Sequence, residues 1–337
     1  MLERVPGRAS GVGSWPGVDV VEPARTVFGE LPEPHVPYLT ELPGRGPGAD
    51  LIGRGAALLV DLPVDLQPSG WRLVDRPGRD LARAWSLLQQ DLDVLAEVAD
   101  GYRGPFKVQA AGPWTLAASL RLVRLERAVV DPGACRDLVA SLAEGVARHV
   151  QRIRSLVPGA QVVVQVDEPS LPDVLTGRLE TVSGFGRLRP VEEPVAVDGL
   201  RSVLESAVDA GAVDTVVHCC GPDVPVATLV RAGAGAVSLD VSLLAGPGWE
   251  AVAGAVEGGT ALWAGVVATT GSLPSVQAVA DRVWQPWRQI GLAPAGLGAV
   301  VLTPACGLAG TAPTAARAVL DRVRCAARVL AERSSED

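Results

Sequence analysis

The chain has 337 residues, 48% of them hydrophobic and 20% charged, which is enough apolar material for a large core and excludes a disordered chain. Net charge is −8, Lys107 is the only lysine, and the arginines are scattered rather than clustered, which excludes a nucleic-acid-binding surface. No run of about 18 apolar residues occurs, and the opening MLERVPGRASGVGSWPG lacks a basic flank followed by an apolar stretch, so a cytoplasmic protein without membrane contact is expected.

Eight short β-branched runs are predicted as strands, in chain order at 10–15, 35–42, 106–112, 162–168, 215–221, 236–243, 262–268 and 300–307. Segments with helical apolar spacing lie between or after them, at 79–100, 134–156, 198–211, 224–233, 274–290 and 313–332. Strand and helix alternating eight times predict an α/β fold, a single (β/α)8 TIM barrel forming one domain over 1–337. The rival, a doubly wound open sheet, calls for a glycine-rich phosphate turn after an early strand. GVGSWP fails the G-x-G-x-x-G spacing because Pro16 holds its sixth position. The connection at 43–78, rich in glycine and proline, reads as a long loop and a candidate flap over one barrel end, and the tail RSSED reads as frayed.

In such a barrel the chemistry collects at the C-terminal ends of the strands. The residues found there are Ser14, Glu41, Gln109, Asp167, Glu168, His218, Cys220, Asp240 and Cys306. Side chains alternate along a strand, so in VVHCCG His218 and Cys220 share one face while Cys219 points to the helix layer. An imidazole and a thiolate on one face suit zinc, and Cys306, in TPACG, joins them from another strand of the ring. Three such ligands leave an open catalytic position, with Asp240 the natural fourth, displaceable ligand. Five cysteines in a chain of this length do not describe a disulfide framework, and Cys135 and Cys325 fall in helical segments.

In QVDEP the carboxylates of Asp167 and Glu168 follow an apolar strand abruptly. One of them is expected to face the cavity, where it would hold a substrate ammonium. Ser14, in GSWP, offers a hydroxyl and neighbouring backbone N–H groups to a carboxylate.

The set GVGSWP, GPWTL, QVDEPSL, HCCG, SLD and TPACGL, in this order along nearly the whole chain, resembles the catalytic barrel of cobalamin-independent methionine synthase. It is also similar to the wider superfamily of zinc methyltransferases and uroporphyrinogen decarboxylase. The resemblance implies zinc held by His218, Cys220 and Cys306, with Asp240 where the methionine synthases carry a glutamate ligand. It implies Ser14 and Asp167 in contact with the amino-acid part of homocysteine, and methyl transfer to that thiol to give methionine. The family's folate-facing tryptophan is missing, Ser119 standing in its place, and Trp114 is the candidate to replace it. The H-x-C-G form of HCCG looks more like corrinoid-dependent thiol methyltransferases, so the donor is either methyl-tetrahydrofolate or methylcobalamin, the latter with a corrinoid protein as partner. A folate donor needs a general acid, for which Glu41, Asp65 and Glu168 are candidates. The further alternatives are a zinc- and homocysteine-binding relative without catalysis, and a porphyrin decarboxylase, against which the clustered cysteines argue.

Overall fold

The computed structural model describes residues 2–123 and 126–335. Its elements in chain order are α1 (Val21–Glu30), α2 (Leu51–Leu58), β1 (Val64–Gln67), β2 (Gly70–Leu73), α3 (Arg79–Val98), β3 (Gly104–Ala111), α4 (Pro113–Ser119), α5 (Pro132–Leu156), β4 (Ala160–Asp167), α6 (Leu171–Thr176), α7 (Glu193–Asp209), β5 (Asp214–Cys219), α8 (Val226–Arg231), β6 (Ala236–Asp240), α9 (Gly246–Glu257), β7 (Ala261–Val267), α10 (Val276–Gln289), β8 (Val301–Pro304) and α11 (Pro313–Ser334). Strands β3 to β8 form one curled, parallel sheet in chain order. The register places Asp167 beside His218, and His218 beside Ser238.

The expected eight-stranded barrel is met in part, as a six-stranded sheet. The predicted strands at 10–15 and 35–42 are isolated parallel bridges instead: Ala9 with Leu302, Ser10 with Val36, Ser14 with Glu41, and Tyr38 with Lys107. Single backbone bonds carry this path, among them Ser10 N–H to Leu302 O at 2.9 Å, Val36 N–H to Ala9 O at 2.9 Å and Leu39 N–H to Lys107 O at 2.9 Å. Composition explains the broken ladder. Pro37 has no N–H to donate, and Gly11 and Gly13 weaken an extended segment.

Inside the sheet, Val36, Val163, Val216, Ala236, Trp263 and Val301 form an apolar plug separate from the main core. Two residues further along the same segments, alternation puts Tyr38, Gln165, His218, Ser238 and Thr303 on the same inner face, all buried, and Lys107 joins them from β3. The outer faces pack against the helices in the large main core.

The 43–78 connection is more ordered than its glycines and prolines suggest. Asp50 caps α2 by accepting from Gly53 N–H at 2.7 Å, and β1 pairs with β2 as an antiparallel hairpin. The hairpin docks on the chain after α4, with Leu73 N–H donating to Arg121 O at 2.8 Å and Arg121 N–H to Trp71 O at 2.9 Å. Helix α5 starts where Asp131 accepts from Gly133 and Ala134 N–H, with Pro132 in the first turn. Helix α11 continues to Ser334, into the tail expected to fray, of which Glu336 and Asp337 lie outside the described residues. Among the described residues, no helix is long and apolar enough to cross a membrane.

Candidate metal centre

β5 and β8 bring a histidine and two cysteines to the same end of the sheet. Cys219 faces outward and is buried among the helices, where burial pushes its thiol up to about 12. His218 and Cys220 face inward. The Sγ atoms of Cys220 and Cys306 lie 3.3 Å apart, and His218 brings a ring nitrogen so that the three potential ligand atoms lie within 4.8 Å of one another.

The donor set fits zinc. His218 Nδ1 is 3.0 Å from Ser238 Oγ, while Nε2 is buried with no hydrogen-bond partner among the described residues. A buried polar atom left unpaired costs about 1–3 kcal/mol, a cost that a bound cation removes. A second ring nitrogen fastened by a hydroxyl is the usual support of a ligating imidazole. Two sulfurs on tetrahedral zinc, each about 2.3 Å from the metal, stand about 3.8 Å apart, close to the separation seen, whereas a disulfide would need about 2.05 Å. All five cysteines are free. The contact between the two sulfurs splits their acidities: Cys306 is drawn down, first by the Cys220 thiol and then by His218, while Cys220 is pushed up by the same contact and by burial.

Asp240 is not brought into this cluster. It is absent from the group of ligand atoms within 4.8 Å, and its Oδ1 accepts from Ser242 N–H at 2.9 Å and Ser242 Oγ at 2.6 Å, fixing the 3-10 turn after β6. A side chain one carbon shorter than glutamate reaches its own following turn more readily than a centre across the mouth.

Ser14 does lie beside the cysteine loop. Its carbonyl accepts from Leu308 N–H at 2.9 Å and its Oγ from Ala309 N–H at 3.4 Å. Gly307 has no side chain because Ser14 Oγ occupies the place where a Cβ would stand. Asp167 faces inward, next to His218 in register, and its Oδ1 accepts from Gln165 Nε2 at 2.7 Å. Burial raises it to about 7, against the pull of His218.

Glu168 and Trp114 sit differently from expectation. Glu168 points outward and is fully enclosed: Oε1 accepts from Trp114 N–H at 2.9 Å, and Oε2 from Thr115 N–H at 2.8 Å and Thr115 Oγ1 at 2.7 Å. It closes the N-terminus of α4, where backbone donors lack partners within the helix. Gly112 makes this possible, since a Cβ there would collide with the Glu168 carboxylate. Trp114 is 1% exposed, donates Nε1–H to Ala196 O at 2.8 Å and packs against Gly199 of α7, so its ring offers no face to a donor.

Of the other acid candidates, Glu41 is raised by burial and pairs with Arg54 at 3.3 Å, and Arg54 and Arg45 both pair with Asp91. Asp65 lies in the β1–β2 hairpin, 3.8 Å from Arg72. Sequence reasoning gave no role to Lys107, Gln165 or Ser238. The signal for the first was present, a lone lysine in the otherwise apolar FKVQAAG. A cavity of about 550 Å³ lies between α3 and α5, lined by Trp85, Arg152 and His149 among others, and shares no residue with the histidine–cysteine cluster.

With the geometry in place, the sequence matches the model of the family described as cobalamin-independent synthase, catalytic domain, over residues 8–329. The chain belongs to this family. Membership of a cobalamin-independent family leaves the corrinoid partner and the methylcobalamin donor without support. No curated protein matches the chain. Among solved structures it is similar to a B12-independent methionine synthase from Shewanella sp. W3-18-1 in complex with selenomethionine, at 14% identity and TM-score 0.48, covering 72% of this chain and 66% of that one. It is also similar to a putative sugar phosphate isomerase/epimerase from Anabaena variabilis, at 11% identity and TM-score 0.41, covering 78% and 86%. The match thus spans slightly under two thirds of the synthase's length.

Proposed function

We propose that this member of the cobalamin-independent synthase family is a zinc-dependent methyltransferase. It would transfer a methyl group from methyl-tetrahydrofolate to the sulfur of homocysteine, forming methionine. The supporting observation is the convergence of His218, Cys220 and Cys306, with a buried imidazole nitrogen left unpaired beside two free thiols. We further read the fold as one closed (β/α)8 barrel, since the bridges at residues 9–14 and 36–41 connect β8 to β3. The free cysteines suit a reducing, cytoplasmic setting.

Zinc bound at this site supplies a means of holding a thiol, ordinarily of pKa about 8.5, as a nucleophilic thiolate at neutral pH. The protein's residues do the rest. Ser238 fixes the imidazole ring through Nδ1, so Nε2 would be the atom that holds the metal. Asp167, one strand away from His218, would hold the ammonium of the amino-acid thiol, and Ser14, against the Cys306 loop, would meet its carboxylate. Glu168 contributes by holding the start of α4 still rather than by touching substrate.

Metal analysis of the purified protein should return about one zinc per chain, and Cys306→Ala should return none. A zinc-free wild type or a zinc-replete variant excludes the site. The zinc-loaded protein should then form methionine from homocysteine and methyl-tetrahydrofolate. Tight homocysteine binding without methionine would turn the reading to a binding relative without catalysis.

A further inference from the structure

Lys107 is the only lysine in the sequence, and its exposure is 0%. An ammonium taken out of water is tolerated only when its donors are paired. Lys107 Nζ donates to Val12 O at 2.7 Å and to Gln165 Oε1 at 2.8 Å, and stands 5.2 Å from the centre of the Tyr38 ring.

The consequence falls on Gln165. A side-chain amide has an acceptor end and a donor end, and its neighbours decide which way it turns. An ammonium can only donate, so Gln165 must present Oε1 to Lys107 and turn Nε2 the other way. There Nε2 donates to Val12 O at 2.9 Å and to Asp167 Oδ1 at 2.7 Å, which uses both of its N–H groups. Asp167 is therefore held by one oxygen. Its other oxygen, Oδ2, makes no hydrogen bond among the described residues. An arginine would not serve here, because its planar fork of five N–H donors has too few acceptors in this enclosed layer.

We propose that Lys107 is a positioning residue: through the Gln165 amide it fixes the Asp167 carboxylate with Oδ2 free, and so sets the affinity of the mouth for the ammonium of the amino-acid thiol. The inference rests on Asp167 being the ammonium site proposed above.

The test is homocysteine binding to zinc-loaded protein by calorimetry, together with KM and kcat, for the wild type, Asp167→Asn, Lys107→Met and Gln165→Glu. Gln165→Glu decides most, because it still accepts from Lys107 and keeps that ammonium paired, yet has no N–H for Asp167. Lys107→Met and Gln165→Glu should each weaken binding roughly tenfold to a hundredfold, the scale of a lost hydrogen bond to a charged group, and raise KM with kcat little changed. If Lys107→Met does not fold, Gln165→Glu carries the decision. A double variant, Lys107→Met with Gln165→Met, removes both buried partners together, so it restores packing without restoring the donor; it should still bind weakly, and recovery of wild-type affinity would reduce Lys107 to a structural role. Weak binding by Asp167→Asn with wild-type binding by Gln165→Glu overturns this inference and leaves the ammonium site standing. Wild-type binding by Asp167→Asn, or no binding by the wild type, overturns the ammonium site and this inference with it.

Discussion

Asp167 and Glu168 are neighbours in the chain, both buried, and face opposite sides of the sheet. Glu168 meets three donors from the start of α4, whereas Asp167 meets one, from Gln165. The same contrast recurs one strand on. Cys219 is sealed into the helix layer, while Cys220 stands 3.3 Å from Cys306 with His218 nearby and a ring nitrogen unpaired. At these strand ends the outer face spends its polar valences on packing and the inner face leaves some unused. Unused valences in a buried place carry a cost, and a bound ligand or metal removes it.

The sharpest way to break this comparison is at Cys220. Cys220→Ala should lose the metal outright and lower methionine formation at least about a hundredfold, more than the roughly tenfold to hundredfold typical of losing a residue that merely supports a ligand. Zinc content by mass spectrometry of the native protein checks it. A variant that keeps one zinc would place the metal elsewhere.

The second test concerns histidines and pH. His149, buried on α5 beside Arg54, is lowered to about 4, chiefly by burial, and is therefore neutral in the folded protein. Its folded value lies below its unfolded value of about 6.5, so the stability it supports is complete above pH 6.5 and is lost as pH falls through 4. Between pH 7 and pH 4 the wild type should lose about 3 kcal/mol more than His149→Leu, read from urea midpoints. Equal slopes would mean that the imidazole is not sealed from water. Next in size is Glu168→Gln, which replaces one acceptor oxygen by an NH2 facing backbone donors. It should cost about 2 kcal/mol of stability, with zinc content and homocysteine affinity unchanged. A fall in affinity instead would return Glu168 to the substrate side.

Much of this was legible because alternation along a strand is rigid. The spacing of His218 and Cys220, with Cys219 between them, fixes faces without any knowledge of packing, and six of the eight predicted strands appear in the sheet. What the sequence hid depends on neighbours distant in the chain. Nothing in QVDEP says that α4 begins beside Glu168, or that Gly112 leaves room for its carboxylate. Nothing in SLD says that Ser242 turns back to take Asp240. The hairpin at Val64–Leu73 was hidden because Pro68 and Gly70 read as breakers, although Pro68 and Ser69 make its turn and Gly70 opens β2 opposite Gln67. Lys107 was visible and passed over. A charged residue in an apolar strand reads as an edge or an error until its acceptors, Val12 O and Gln165 Oε1, are known.

The smallest expected effect is at Cys219, and it sharpens the comparison most because the residue adjoins a proposed ligand. Its sulfur lies in the helix layer, so Cys219→Ala removes one buried atom and leaves a small void. The loss should be about 1 kcal/mol, the scale of a deleted buried group that its surroundings partly fill. Zinc should stay at about one per chain, and homocysteine affinity should not change. Any role of Cys219 in holding the metal would require β5 to flip its face, and His218 would flip with it and lose Ser238. A Cys219→Ala protein that loses zinc while its folding midpoint stays in place would thus reverse the assignment of the two adjacent cysteines.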